Sequence, residues 1–135
     1  MIVGQVNART KAVIPLQIYD AYGQLVHLDV TVDTGFSGYL TLPSVTITQL
    51  QLIYDRTETY TLGDNNTVDF DLYRATLCWD GQDRLVFVLS TESEPLVGMS
   101  TLRGYAVYLW MWLMAVRYRL PYVLNTLKWM AAYPL

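Results

Sequence analysis

The chain has 135 residues, 53% of them hydrophobic and 16% charged, with a formal net charge of −3. That length suits one domain, so apolar a composition excludes a disordered chain, and the acidic balance argues against a nucleic-acid partner. A single cysteine, Cys78, and a single histidine, His27, exclude an intrachain disulfide framework and a zinc site built from several Cys or His.

Charge is unevenly placed. Residues 1–94 hold all twelve acidic side chains and five basic ones, net −7, whereas residues 95–135 hold four basic side chains and no acid. The opening Met1-Ile-Val-Gly-Gln-Val has neither the basic nor the apolar region of an export signal, so a cytoplasmic location is expected. From Val3 to Leu102 the pattern is mostly of period two and rich in β-branched and aromatic residues, which predicts an all-β fold. Ala12 to Tyr19 reads as a strand that turns at Asp20-Ala-Tyr-Gly23 into a second strand, Gln24 to Val32. In that second strand Val26, Leu28, Val30 and Val32 share one face, and Leu25, His27, Asp29 and Thr31 share the other. Tyr39 to Pro43 is the next strand, and Ser44 to Leu52 a short helix or turn. Two alternating runs, Tyr54 to Leu62 and Val68 to Leu77, flank Gly63-Asp64-Asn65-Asn66, which is hairpin chemistry. Asp80-Gly81 marks another hairpin leading into Arg84 to Leu89, and a short helix is expected near Thr101-Leu102-Arg103. His27 reads as a structural residue on a strand face, and Cys78, between Leu77 and Trp79, as a small core residue. Asp69 and Asp71 read as solvated hairpin charges, without the ligand pattern of a calcium site.

The chemistry is expected at Val32-Asp-Thr-Gly-Phe-Ser-Gly38. A carboxylate at the end of an apolar strand is costly unless it is paired or hydrogen-bonded. Asp33 could serve only as a turn residue, and Asp-Thr-Gly alone is a weak signal. The wider context resembles the retropepsin-like aspartic proteases, above all the small single-domain ones of bacteria. The likeness runs in order through the Asp20–Gly23 turn, Asp33-Thr-Gly with Leu40-Thr-Leu-Pro43 behind it, and the Gly-Asp-Asn hairpin. It ends on Leu96-Val-Gly-Met99 with Leu102-Arg-Gly-Tyr105, and covers residues 1–109. It implies a retropepsin-like barrel of short strands with one short helix, and an aspartic endopeptidase acting on a peptide or protein substrate as a homodimer. No cofactor or metal is implied. Asp33 is then the catalytic residue, with Thr34, Gly35 and Ser37 supporting it. Gly63, Asp64, Asn65 and Asn66 form the flap that closes over substrate.

Residues 110–135 depart from the family, which continues at this place as strands with a glycine turn and acidic residues. Here the chain reads Leu109-Trp-Met-Trp-Leu-Met-Ala-Val-Arg-Tyr-Arg-Leu-Pro121. Trp and Met have single codons, so much of the DNA behind Trp110–Met114 is fixed. Starting two bases later, one codon choice reads Asp-Val-Val-Asp-Gly-Gly, a hydrophilic strand–turn signal. A frameshift near Leu109 is therefore expected. The rival is a native apolar tail that packs on the domain or touches a membrane, since Tyr105 to Val116 is an apolar run of twelve residues, short of a span. Two further classes stand beside the enzyme: a catalytically inactive binding or dimerisation module of the same fold, and a small membrane-associated domain.

Overall fold

The computed structural model describes residues 1–61, 63–109 and 130–134. Its ten strands are β1 Ile2–Val6, β2 Ala12–Tyr19, β3 Leu25–Val32, β4 Leu40–Pro43, β5 Ile53–Thr61, β6 Thr67–Trp79, β7 Gln82–Thr91, β8 Leu96–Val97, β9 Tyr105–Tyr108 and β10 Met130–Pro134. Two helices, α1 Ser44–Leu50 and α2 Met99–Leu102, complete the described elements. Among the described residues no helix is long and apolar enough to cross a membrane.

The turns follow from local chemistry. Asp20 Oδ1 accepts the N–H groups of Tyr22 and Gln24 at 2.9 Å each, and Gly23 takes φ +76°, so β2 reverses into β3. Asp80 and Gly81 both have positive φ between the paired Trp79 and Gln82, which is the two-residue hairpin that matches strand twist. The β5–β6 hairpin turns through Asn65 at φ +66°, with Asp64 accepting from the Asn66 N–H at 3.1 Å and from its side-chain amide at 2.7 Å.

The strands lie in the order β5-β6-β7-β4-β8-β3-β2-β1-β10-β9, and β6 also pairs with β2. That extra pairing, Gln17 with Cys78 and Ile18 with Leu77, closes β2, β3, β8, β4, β7 and β6 into a ring. Within the ring no strand is left as an edge, and one interior remains to fill. Ile14, Leu16, Ile18, Val30, Leu40, Leu42, Leu77, Val86, Val88 and Val97 fill it, each 2% exposed or less. Leu50 of α1 and Leu102 of α2 join the same core. On β3 the face carrying Val26, Leu28, Val30 and Val32 turns inward, as the alternation predicts. Pro15 of β2 falls where that strand passes from pairing with β1, at 12–13, to pairing with β6, at 17–18. At that position it has no second neighbour needing its missing N–H.

One expectation needs amendment, and another falls mostly outside the described residues. Cys78 is half-buried and outside the core: with Leu77 and Trp79 both near-fully buried, it occupies the opposite face of β6 from Trp79. Of the tail, residues 110–129 lie outside the described residues, as does the larger part of the apolar run to Val116. Its first four residues, Tyr105–Tyr108, are strand β9, and Met130–Pro134 form a strand between β1 and β9.

Candidate active site

Asp33 directly follows β3, and the reason it is held there is topological. β8 is inserted between β3 and β4, which are consecutive in sequence. Val32 of β3 and Leu40 of β4 both pair with Val97 of β8. The seven residues from Asp33 to Tyr39 must therefore cross the end of β8, a span of two strand spacings or about 9.5 Å.

The crossing is tied down at nearly every residue. Asp33 N–H donates to Val97 O at 3.0 Å, and Phe36 N–H donates to Asp33 O at 3.3 Å. The Gly98 N–H donates to Tyr39 O at 2.9 Å, Met99 N–H to Phe36 O at 2.8 Å, and Ser100 N–H to Gly38 O at 3.1 Å. Side chains add Ser100 Oγ to Ser37 O and Thr101 Oγ1 to Tyr39 O, both at 2.7 Å. Gly98 is required by sterics, because a Cβ there would lie 2.3 Å from Gly38 O and 2.7 Å from Phe36 O. Both neighbours are main-chain atoms of the loop passing overhead.

Within this frame one oxygen of the Asp33 carboxylate, Oδ1, accepts the Gly35 N–H at 2.9 Å. Among the described residues Oδ2 receives no hydrogen bond. Asp33 is half-buried, and Thr34, Gly35 and Ser37 are exposed beside it. The predicted residues Asp33, Thr34, Gly35 and Ser37 thus lie together on one loop, with Ser37 contributing its carbonyl to the clamp. Two open clefts of about 320 and 420 Å³ lie elsewhere, around Tyr19 and Arg74 and around His27 and Cys78, and Asp33 lines neither. The loop in a single chain presents an aspartate on an open surface.

Gly63, Asp64, Asn65 and Asn66 sit apart from that loop, exposed at the tip of the β5–β6 hairpin. The hairpin has two unlike faces. One carries Thr57 and Thr59, whose hydroxyls donate to their cross-strand partners Asp71 at 2.7 Å and Asp69 at 2.6 Å. Asp69 and Asp71 are exposed there, as solvated charges. The other carries Arg56, Glu58 and Tyr60 opposite Leu72, Phe70 and Val68. Tyr60 meets Phe70 edge-on at 5.8 Å. Arg56 stacks over Phe87 of β7 at 4.8 Å, and Phe87 meets Tyr39 at 6.3 Å. This column links the flap to the residue that ends the Asp33 loop. Hydrogen bonds from Arg56 and then Tyr60 hold Glu58 below the ordinary glutamate range, so it is ionised at neutral pH.

Sequence reasoning did not single out Phe36, Gly38, Tyr39, Ser100 or Thr101 as site residues. The signal available was the small polar pair Ser100-Thr101 directly after the Gly98-Met99 element. Among the described residues no three His, Cys, Asp or Glu side chains come together to hold a metal.

No protein-family model and no curated protein matches the chain. Among solved structures, EIAV protease complexed with the inhibitor HBY-793 is similar over 72% of this chain and 89% of that one, with a TM-score of 0.51 and 18% identity. At that identity the likeness speaks to architecture alone, and with the closed strand ring and the inserted β8 it shows that this chain has an all-β, retropepsin-like fold.

Proposed function

We propose that the chain is an aspartic endopeptidase that works as a homodimer on peptide or protein substrates. The observation that carries this reading is the pinned, open Asp33 loop in a retropepsin-like fold: one carboxylate, fixed in position, with its neighbours Thr34, Gly35 and Ser37 exposed. One chain supplies one such aspartate. A two-fold axis past this loop sets Asp33 of one protomer against Asp33 of its partner. Two carboxyl groups about 3 Å apart share a single proton. The ionised one takes a proton from water, the protonated one donates to the scissile carbonyl, and the bond is hydrolysed without a covalent intermediate. Thr34 braces the pair across the axis, Gly35 lets the backbone pass close, and Ser37 supports the carboxylate from outside. The flap tip Gly63–Asn66 closes over substrate and excludes water.

Within the same proposal the protease domain is residues 1–109, to whose β1 and β9 the strand Met130–Pro134 is paired, of the small bacterial single-domain kind, and acts in the cytoplasm. Residues 110–135 are an out-of-frame reading of the terminal segment. Resequencing the locus tests that last part, and an absence of any alternative open frame downstream overturns it. The activity itself is tested with a mixed peptide library at pH 4–7 and a statine-type transition-state mimic. Cleavage that the mimic blocks is expected. A dimer that neither cleaves nor binds the mimic is instead an inactive dimerisation module, and detergent-dependent behaviour marks a membrane-associated domain.

A further inference from the structure

Arg84 lies on β7, in the barrel wall, and the reading above gives it no role. Its guanidinium donates from Nη1 to Thr101 O at 2.5 Å and from Nη2 to Ser100 O at 3.3 Å. Ser100 and Thr101 are the residues that grip the Asp33 loop. Ser100 reaches Gly38 O through its N–H and Ser37 O through its hydroxyl, and Thr101 reaches Tyr39 O through its hydroxyl. The same two residues are therefore held by their carbonyls from one side and hold the loop by their donors on the other.

The arrangement has a physical reason. α2 is four residues long, too short to be stable by itself, so tertiary bonds set its place. Its last carbonyls have no partner within the helix. A guanidinium offers two N–H groups in one rigid plane, so it fixes the two carbonyls relative to each other as well as to β7. Thr101 has no exposed surface, so water does not take the place of the guanidinium at its carbonyl.

We propose that Arg84 is a positioning residue for Asp33, acting through Ser100 and Thr101 on the loop that carries the carboxylate. The catalytic half of this inference rests on the endopeptidase reading, and the mechanical half does not. The test compares the full chain with Arg84→Met, which keeps an apolar stem and loses every donor, and with Arg84→Lys, which keeps one charged donor group. Amide hydrogen exchange is followed at Met99 and Ser100, whose N–H groups hold the loop, with Val30 of β3 as the reference for global opening. In Arg84→Met, exchange at Met99 and Ser100 rises by about tenfold relative to Val30, and Arg84→Lys falls between. Peptide cleavage per folded dimer loses about tenfold in kcat with KM within about twofold, because the reacting group is displaced and the substrate surface is not.

Unchanged exchange at Met99 and Ser100 overturns the inference whatever the activity. Faster exchange in Arg84→Met, when the wild-type chain itself cleaves nothing, supports the mechanical half and overturns the endopeptidase reading. Faster exchange with kcat unaltered in an active enzyme overturns the catalytic half. If Arg84→Met does not fold, Arg84→Lys decides alone: acceleration confined to Met99 and Ser100 supports the inference, and no acceleration overturns it.

Discussion

Gly98→Ala is the substitution whose cost can be worked most directly from the geometry. The added Cβ lies 2.3 Å from Gly38 O and 2.7 Å from Phe36 O, and neither atom can rotate away. Restoring ordinary contact needs the loop to retreat by about 1 Å. That retreat stretches Met99 N to Phe36 O from 2.8 Å, and Ser100 N to Gly38 O from 3.1 Å, beyond hydrogen-bonding reach. Two lost bonds at about 1 kcal/mol each, plus about 1–3 kcal/mol of overpacking, give roughly 3–5 kcal/mol. A domain of this size has about 5–15 kcal/mol in all, so the variant is close to unfolding. Urea unfolding followed by tryptophan fluorescence measures it. Gly63→Ala is the matched control: nothing lies within 4 Å of its added Cβ, and its change stays within about 0.5 kcal/mol. A Gly98→Ala variant within about 0.5 kcal/mol of wild type refutes the steric argument, and with it the account of how the loop is held.

Other outcomes follow from single contacts. Leu77→Ala removes a side chain with no exposed surface at the pairing that closes the ring, and lowers unfolding free energy by about 2–5 kcal/mol in the same urea assay. Thr101→Val deletes the bond to Tyr39 O while keeping shape, and costs about 1–2 kcal/mol by thermal or urea unfolding. At the flap tip the Asn66 backbone and side-chain amides hold Asp64 below the ordinary aspartate range. Its contribution to turn order is therefore present above that ordinary range and lost as pH falls through the lowered value. Exchange of the Asn66 amide, corrected for intrinsic rate, reports protection at pH 6 that fades in strong acid; Asp64→Asn removes the pH dependence.

Much of the barrel was legible in the sequence because strands write their faces at period two. Val26, Leu28, Val30 and Val32 read as one face, and Asp20–Gly23 and Asp80–Gly81 read as turns, and the structure places them so. Asp33 stood out because a carboxylate ends that apolar strand. Other features were hidden because they depend on contacts far apart in the chain. The closure of β2 on β6 is set by a register of two residue pairs. The insertion of β8 between β3 and β4 explains Gly98, yet nothing local to Leu96-Val-Gly announces a loop overhead. Cys78 shows the opposite failing: reading it with its apolar neighbours gave a core residue, whereas strict alternation with Leu77 and Trp79 already pointed outward. Arg84 appeared in the sequence only as the start of a strand run, because its partners are backbone carbonyls sixteen and seventeen residues away.

The central claim is that Asp33 is the reacting carboxylate of a dimer. The most direct measurement is cleavage of a peptide library at pH 4–7 by the wild-type chain and by Asp33→Asn, with sedimentation giving the oligomeric state of each. Asparagine keeps an oxygen for the Gly35 N–H, so the loop stays closed while the acid–base function is removed. The account predicts a dimer in both and a loss of cleavage of at least about 10²–10⁴-fold in Asp33→Asn. Equal cleavage by the two chains, or cleavage by a monomer, contradicts it.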